Sequence, residues 1–372
     1  MNAAWRVLAS LGLVLSAACS QADLLEPPRS DTQADEKLVS NSHAARSVTV
    51  MTRNLYVGTD LDAVITALTS SDPADDFPAL LAAIETLRLT AFPLRAAAIA
   101  DEIARAHPHV LGLQEVSEIN IDLSALGVPV VLHQNFLAIL QAALAARGLD
   151  YAVAATVENI EATPIPGISL IDYDALLVDA DRVSVQSAVG QSFSANLGEV
   201  VPGVVLQRGW VAATITIGGN PYTVASTHAE SGSFPGFSAL RALQLTELVG
   251  TLGTGSPTVL MGDLNDLPGS PMYQVVTGAG FTDVWRALRP GVVGNTCCHV
   301  KDLSDRHARF DQRIDYVFTR GFEHANKEVL GKVTLVGDTP SDRIPGLEFQ
   351  IWPSDHVGVV ADLLLPAGGP VP

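Results

Sequence analysis

The stretch "WPSDHVGVVADLLL", residues 352–365, decides how the chain is read. From Val357 onward nearly every residue is apolar on both alternating faces, the pattern of a strand buried on both sides. Yet Asp355 and His356 stand side by side where that strand begins. An Asp–His pair there is ordinarily a turn residue beside a solvated imidazole. The ordinary reading holds only if the other strands do not carry similar residues at their ends.

They do. "RSVTVMTRNL" carries Asn54, "HVLGLQEV" Glu115, "PYTVASTHAE" His228 and "PTVLMGDLND" both Asp263 and Asn265. "ISLIDYDALLV" opens with Asp172 and Asp174, and "RIDYVF" carries Asp315. Singly, each has a plain explanation. Asn54 or Asn265 caps a turn, Asp263 begins an Asx-turn before Pro268-Gly269, and Asp315 pairs with Arg313 or Arg320. A Glu following the apolar run "VLGLQ" is harder to dismiss, because burying an unpaired carboxylate is costly. Strand ends furnished only with Asp, Asn, Glu and His form one pattern. Such ligands suit Mg²⁺ or Mn²⁺, hard ions that keep waters and bind substrate phosphates.

Helical stretches alternate with these strands. "FPLRAAAIADEIARAH" turns Leu94, Ala98 and Ile103 toward a core, "NFLAILQAALAARGL" ends at a Gly cap, and "SALRALQLTELVGTLG" follows the same logic. Arg241 and Gln244, one turn apart on the last of these, read as a helix-surface pair. Strands outnumber helices and several alternate, which predicts two packed sheets with helices outside. The regular pattern runs unbroken, so one domain is expected over residues 47–366, followed by a frayed tail, 367–372.

Bulk composition narrows the function. The 372 residues are 48% hydrophobic and 17% charged, enough apolar material for a large core. Forty acidic against 22 basic residues give a formal charge of −18. Such a surface repels nucleic-acid backbone, and no Lys/Arg run offers a local basic patch, so no stable nucleic-acid partner is expected. A metal-dependent enzyme acting on phosphates remains open. Cys297 and Cys298 are adjacent in "GNTCCHV" and cannot staple distant loops; a structural loop role is expected, the alternatives being a vicinal disulfide, free thiols or a metal shared with His299.

The N-terminus, "MNAAWRVLASLGLVLSAACSQ", has one Arg, a short apolar run and small residues before Cys19, as in a secretory signal peptide over residues 1–18. "SAAC" fits a bacterial lipoprotein cleavage site that makes Cys19 the lipidated residue, and Ser20 favours an outer-membrane destination in a diderm bacterium. Residues 19–46 are polar, Pro-containing and aperiodic, and are expected to be a disordered tether. The expected setting is therefore extracytoplasmic, anchored or secreted.

With "LQEV", "GDLN", "RIDYVF" and "SDH" in this order, the chain resembles the endonuclease/exonuclease/phosphatase superfamily, which includes deoxyribonuclease I, neutral sphingomyelinases and inositol polyphosphate phosphatases. The resemblance spans Val48 to Leu365 and implies a four-layer α/β/β/α sandwich, two mixed sheets flanked by helices, with the site at one edge. It implies Mg²⁺ (or Mn²⁺) held by Glu115, Asp355 and Asn54, and water and phosphate positioned by Asp263 and Asn265. His356 would be oriented by Asp315. His228 matches a second histidine whose partner would be Asp172, or less readily Asp174; AP endonucleases have another residue there. Arg208 stands where nuclease relatives keep a phosphate-contacting Arg.

The activity so implied is hydrolysis of a small or lipid-linked phosphate ester, as phosphatase or phosphodiesterase, by metal-assisted in-line attack of water. The substrate is a phosphorylated small molecule, lipid or nucleic acid, and the enzyme a monomer. Alternatives are a scavenging deoxyribonuclease I-like endonuclease, then a sphingomyelinase-like enzyme, for which Phe234 and Phe237 in "SGSFPGFSAL" are the one docking candidate, and last a non-catalytic binding lipoprotein. Anchoring at Cys19 predicts that Cys19→Ala loses incorporation of labelled fatty acid and moves from the membrane to the soluble fraction. Persistence in the membrane fraction would count against the anchor.

Overall fold

Alternate residues of the same strands feed different cores. In Thr258–Asp263, Val259 and Met261 point one way and Leu260 the other; in Gly358–Leu364, Val359, Ala361 and Leu363 oppose Val360. A period of two with both faces apolar requires packing on both sides of a sheet. The computed structural model describes residues 47–324, 326 and 328–366. The expected signal peptide, the tether with Cys19 and the C-terminal tail lie outside the described residues.

Two large mixed sheets result. The first has ten strands among the described residues and is centred on Ser47–Asn54, which pairs parallel with Val110–Gln114 and antiparallel with Gly358–Leu364. The second has six, with Asn220–His228 parallel to Thr258–Asp263, and that strand antiparallel to Asp315–Arg320. Between the sheets lie Val48, Val50, Val110, Leu176, Val224, Val259 and Val359. Outside the first sheet, Met51, Leu111 and Leu113 meet Phe92, Ile99 and Ile103 of helix Phe92–Ala106 and Phe136 of helix Phe136–Ala145. Outside the second, Leu260, Tyr316 and Phe318 meet Leu245 and Leu248 of helix Phe237–Thr251 and Met272 of Pro271–Gly278. These are the four layers of an α/β/β/α sandwich. Each fully buried side chain of this size contributes about 1.5–3 kcal/mol, so register is set by the cores.

Two expectations shift. Leu94 points outward, 40% exposed, while Phe92, Ala96 and Ile99 turn inward, because Pro93 sits within the first helical turn and sets the phase. Long strands at Tyr151–Ala162 and Val183–Ser192 flank the expected ones, and helices Leu61–Leu68 and Asp76–Thr90 occupy a region read without structure.

Polar groups pin the sheets together below the edge that carries Asn54, Glu115 and Asp263. Gln114 Nε2 donates across the interface to Ser226 Oγ at 2.9 Å while its Oε1 accepts from Thr52 Oγ1 at 3.1 Å. The approach needs Gly112, where a Cβ would stand 2.6 Å from Ser226 Oγ. Arg95, fully buried, donates to the carbonyls of Leu55, Tyr56, Thr90 and Pro353, and so ties the end of the first strand to the segment before Asp355. No carboxylate touches it; burial pulls its pKa down to about 10. Arg95→Met should destabilise the fold by about 3–5 kcal/mol in urea unfolding, since four buried carbonyls lose their donor. A loss under about 1 kcal/mol would mean that those carbonyls find other partners.

Candidate active site

Register places the chemistry. In the second sheet His228 is abreast of Asp263, and Asp263 abreast of Asp315, so three adjacent strands present these side chains in one row. In the first sheet Asn54 is abreast of Gln114, with Glu115 following, and the SDH segment enters beside them. Asn54 joins the two rows. Its Nδ2 donates to Glu115 Oε1 at 2.9 Å and to Asp263 Oδ2 at 3.1 Å, while its Oδ1 accepts from the Tyr56 amide at 2.8 Å. Asn54, Glu115, His228, Asp263, Asn265, Asp315, Asp355 and His356 therefore share one edge.

The backbone is forced there. Glu115 (φ 56°), Asn265 (φ 52°) and Tyr56 (φ 60°) are left-handed without being glycine, a conformation costing about 1–3 kcal/mol that persists where surroundings dictate it. Gly262 (φ 141°) precedes Asp263, and a Cβ there would lie 1.9 Å from the Thr227 carbonyl.

Glu115 and Asp355 form the first half of the site. Glu115 Oε2 accepts from the Val57 amide at 2.6 Å. Asp355 is buried and its Oδ1 has no hydrogen-bond partner. Burial raises its pKa and the Glu115 charge raises it further, while His356, Lys301 and Arg95 lower it. Burial, with Asp355 and Glu115 next in effect, also raises the Tyr56 hydroxyl, whose proton is given to the Lys301 carbonyl at 2.7 Å. A partnerless buried carboxylate oxygen beside a second carboxylate fits a hard divalent cation, which takes oxygen ligands and offsets their repulsion. Asn54 offers an amide oxygen already engaged by Tyr56, so its placement favours orienting Glu115.

The second half is a carboxylate–histidine cluster. His356 Nδ1 lies 2.9 Å from Asp315 Oδ2 and 3.7 Å from Asp263 Oδ2. Burial opposes its charge, but Asp315, Asp263 and Asp355 outweigh it and hold its pKa well above the usual histidine value. The Thr296 hydroxyl fixes the strand by accepting from the Asp315 amide at 3.2 Å. Burial and then Asp315 raise Asp263, while His356, the Asn265 amide and Asn54 oppose the rise. Asn265 is locked by its Nδ2 on the Ala229 carbonyl at 3.1 Å.

His228 has a different neighbour from the one expected. Its Nδ1 faces Arg208 Nη1 at 3.2 Å, and its Nε2 lies 3.6 Å from Asp263 Oδ2. Asp172 instead accepts from Ser117 Oγ at 2.6 Å, and both oxygens of Asp174 lack a hydrogen bond. The expected Asp172–His228 pairing is corrected accordingly: Arg208 occupies the position at Nδ1. Burial, then Arg208, then His356 push His228 well below the usual range, so its proximity to Asp263 is not an ion pair. Burial raises Asp172 to about 7, the Glu115 charge adding to it.

Arg208, expected to contact phosphate, is buried, with Nε 3.4 Å from Glu230 Oε1 and Nη2 donating to Ser231 Oγ at 3.0 Å. Arg241 and Gln244 are likewise buried. Arg241 binds Asp266 and the carbonyls of Glu230 and Gly232, and Gln244 accepts from the Glu230 amide. Cys297 and Cys298 are bonded through their sulfurs, and the Cys297 main chain bridges Gln312 and His356, a structural loop beside the site. His299 is held by Asp305 and stacked on Trp352. Sequence reading missed Tyr56, Ser117, Arg95 and Lys301; none has a spacing that separates it from ordinary loop residues.

A two-sheet sandwich that gathers carboxylates, amides and imidazoles at one edge is the architecture of metal-dependent phosphoesterases. The profile of the Endonuclease/Exonuclease/phosphatase family matches residues 86–356, and the chain belongs to that family. It is a hydrolase acting on phosphoester bonds, in a family whose enzymes generally depend on divalent metals. No curated protein matches the chain. Among solved structures, it is similar to an endonuclease/exonuclease/phosphatase family protein from Bacteroides thetaiotaomicron (TM-score 0.55, 16% identity, 86% of this chain and 95% of that one). A Beutenbergia cavernae family member gives 0.54 at 21% identity, covering 88% and 73%. A Bacteroides thetaiotaomicron mannosyl-6-phosphatase gives 0.54 at 16%, covering 86% and 100%. These likenesses establish the fold.

If Glu115 and Asp355 hold the cation, Glu115→Gln and Asp355→Asn should each weaken Mg²⁺ or Mn²⁺ binding on the order of 10- to 100-fold in calorimetric titration, with unchanged circular dichroism. Equal affinity in both variants and the parent would place the ion elsewhere.

Proposed function

We propose that this chain is a Mg²⁺-dependent phosphatase or phosphodiesterase that cleaves a small or lipid-linked phosphate ester outside the cytoplasm. One observation carries the proposal. Asp263, Asp315, Asp355 and Glu115 converge with two histidines on one edge, where burial raises Asp263, Asp315 adding to it, and burial raises Asp355, Glu115 adding to it. When bound at Glu115 and Asp355, a divalent ion supplies positive charge against the phosphate oxygens and favours ionisation of water.

The chain's own groups do the rest. Asp263, immobilised by Asn54 and the Asn265 amide, accepts a hydrogen bond from the attacking water and holds it in line with the phosphorus. His356, kept protonated by Asp315, donates to a non-bridging oxygen and meets the charge that accumulates on the phosphorane. Asn265 stands beside Asp263 at a strained position, its Nδ2 held by the Ala229 carbonyl, and would help to position the phosphate.

Preference for a compact substrate rests on charge. The net −18 disfavours polyanions. Arg95, Arg208, Arg241 and Arg313 near the site are all committed to protein groups, Arg313 to Asp283. Lys301, exposed near Asp355, is a cation free to meet a phosphate at the mouth. The fold shared with a mannosyl-6-phosphatase is compatible with a phosphomonoester. The lipoprotein-like N-terminus supports an extracytoplasmic, anchored enzyme.

A panel of bis-p-nitrophenyl phosphate, sugar phosphates, inositol phosphates, sphingomyelin and plasmid DNA, with Mg²⁺, Mn²⁺ or EDTA, tests the proposal. Ion-dependent turnover of small phosphates well above DNA cleavage is expected. Faster cleavage of plasmid would favour a nuclease, and no turnover with any ion a binding protein. His356→Ala should lower kcat about 10²- to 10⁴-fold with the fold intact; a loss under tenfold would leave His356 a structural role.

A further inference from the structure

We propose that Arg208 is a positioning residue that fixes His228 as the neutral Nε2–H tautomer, so that the site works with one charged histidine and one uncharged donor. The proposal rests on the phosphoesterase reading only for its catalytic consequence; the tautomer itself follows from contacts.

A guanidinium has five N–H donors and no acceptor. Arg208 Nη1 stands 3.2 Å from His228 Nδ1, a distance at which that nitrogen must offer its lone pair. A protonated His228 would set N–H against N–H beside a permanent cation. The single ring proton therefore belongs on Nε2, which points toward Asp263 Oδ2 at 3.6 Å, the side where the phosphate would sit.

Arg208 is well held for this task. Its Nε faces Glu230 Oε1, its Nη2 donates to Ser231 Oγ, and its own main chain is clamped by Asn196, whose Oδ1 accepts from the Arg208 amide at 2.7 Å. Glu230 is fixed in turn, its amide donating to Gln244 Oε1. Asp172 and Asp174 lie close enough to act electrostatically on Arg208, as do Glu230 and Glu115. Glu230 is the principal counter-charge to the guanidinium, while burial raises both aspartates that were expected beside His228.

The consequence is a division of labour. His356, backed by Asp315, is the charged member. His228, backed by a cation, stays neutral through the neutral pH range and gives one hydrogen bond from Nε2. It cannot protonate a leaving group and return as imidazole.

Nitrogen-15 NMR of the histidine-labelled wild-type protein tests this, with the His228 signals assigned by their loss in His228→Gln. The expected spectrum shows Nδ1 as a bare, pyridine-type nitrogen and Nε2 as a protonated one, unchanged between about pH 6 and 8. A protonated Nδ1, or titration to imidazolium in that window, would overturn the proposal. Arg208→Lys, also a pure donor, should keep the tautomer. Arg208→Met should release it into a mixture of tautomers; if that variant does not fold, the wild-type spectrum still decides. In kinetics, His228→Gln, whose amide can donate from the same place, should retain at least tenfold more kcat than His228→Ala, which should fall about 10²- to 10³-fold, as for loss of one oxyanion donor. Equal losses in both variants would overturn the donor role. The expected spectrum in a protein that hydrolyses no phosphate ester would uphold the tautomer and sink the phosphoesterase reading instead.

Discussion

Like charges buried together are the constraint around which this protein is built. Asp263 and Asp315 approach one imidazole, and Glu115 and Asp355 act on each other, all at one sheet edge and largely out of water. Each carboxylate taken from water without compensation costs several kcal/mol. The compensation is local and of several kinds: an imidazolium at His356, amide donors from Asn54, Val57 and Asn265, and positive charge from Arg95 and Lys301 acting at Asp355. Tethering is covalently cheap but conformationally expensive, as the left-handed backbones at Glu115 and Asn265 record. Repulsion among these carboxylates favours a cation at this edge.

Stability and site geometry are coupled through buried guanidiniums. Arg95 spans the loop after the first strand and the approach to the last. Arg53, paired with Glu102 at 3.0 Å, donates to the His356 carbonyl. Both side chains start on the helical side of the first sheet and finish on main-chain oxygens that precede or carry site residues. Carbonyl acceptors fix the geometry of Arg95 without cancelling its charge, so it positions backbone and still acts on Asp355.

The fold was legible because its cores obey simple periods. Strands such as Gly358–Leu364 and Thr258–Asp263 are apolar on both faces, and nothing but a layered sandwich buries both. Val183–Ser192 was not legible: it is an edge strand of the second sheet, and its Ser, Gln and Gly residues face outward, so no apolar run announces it. Helix Asp76–Thr90 lies with much of its length exposed and lacks a clean stripe. At the site, residue types at strand ends marked Asn54, Glu115, Asp263, Asp315, Asp355 and His356, since polar groups closing apolar strands are rare without a task. Partner choice was another matter. Arg208 precedes the strand paired with that of His228, whereas Asp172 lies on a strand of the other sheet, and the resemblance assigns the carboxylate to the imidazole. Only the actual side-chain directions show the carboxylate reaching Ser117 and the guanidinium reaching the ring.

That exchange of partners alters what the second histidine can contribute. An imidazole backed by a carboxylate is biased toward its charged form and can pass a proton; one backed by a guanidinium is biased against it and can only donate. With His356 already charged, a second imidazolium at the same edge would have to overcome both its neighbour and Arg208, as the depressed His228 pKa reflects. In the proposed mechanism, holding one ring charged and the other neutral would keep two donors for the phosphate while adding only one positive charge. If Glu115 and Asp355 hold a cation as proposed, the remaining charge would come from that ion, which could enter and leave as no side chain can. A site so divided would depend on its metal more strongly than one with two imidazolium groups, because the ion supplies charge that the second histidine does not.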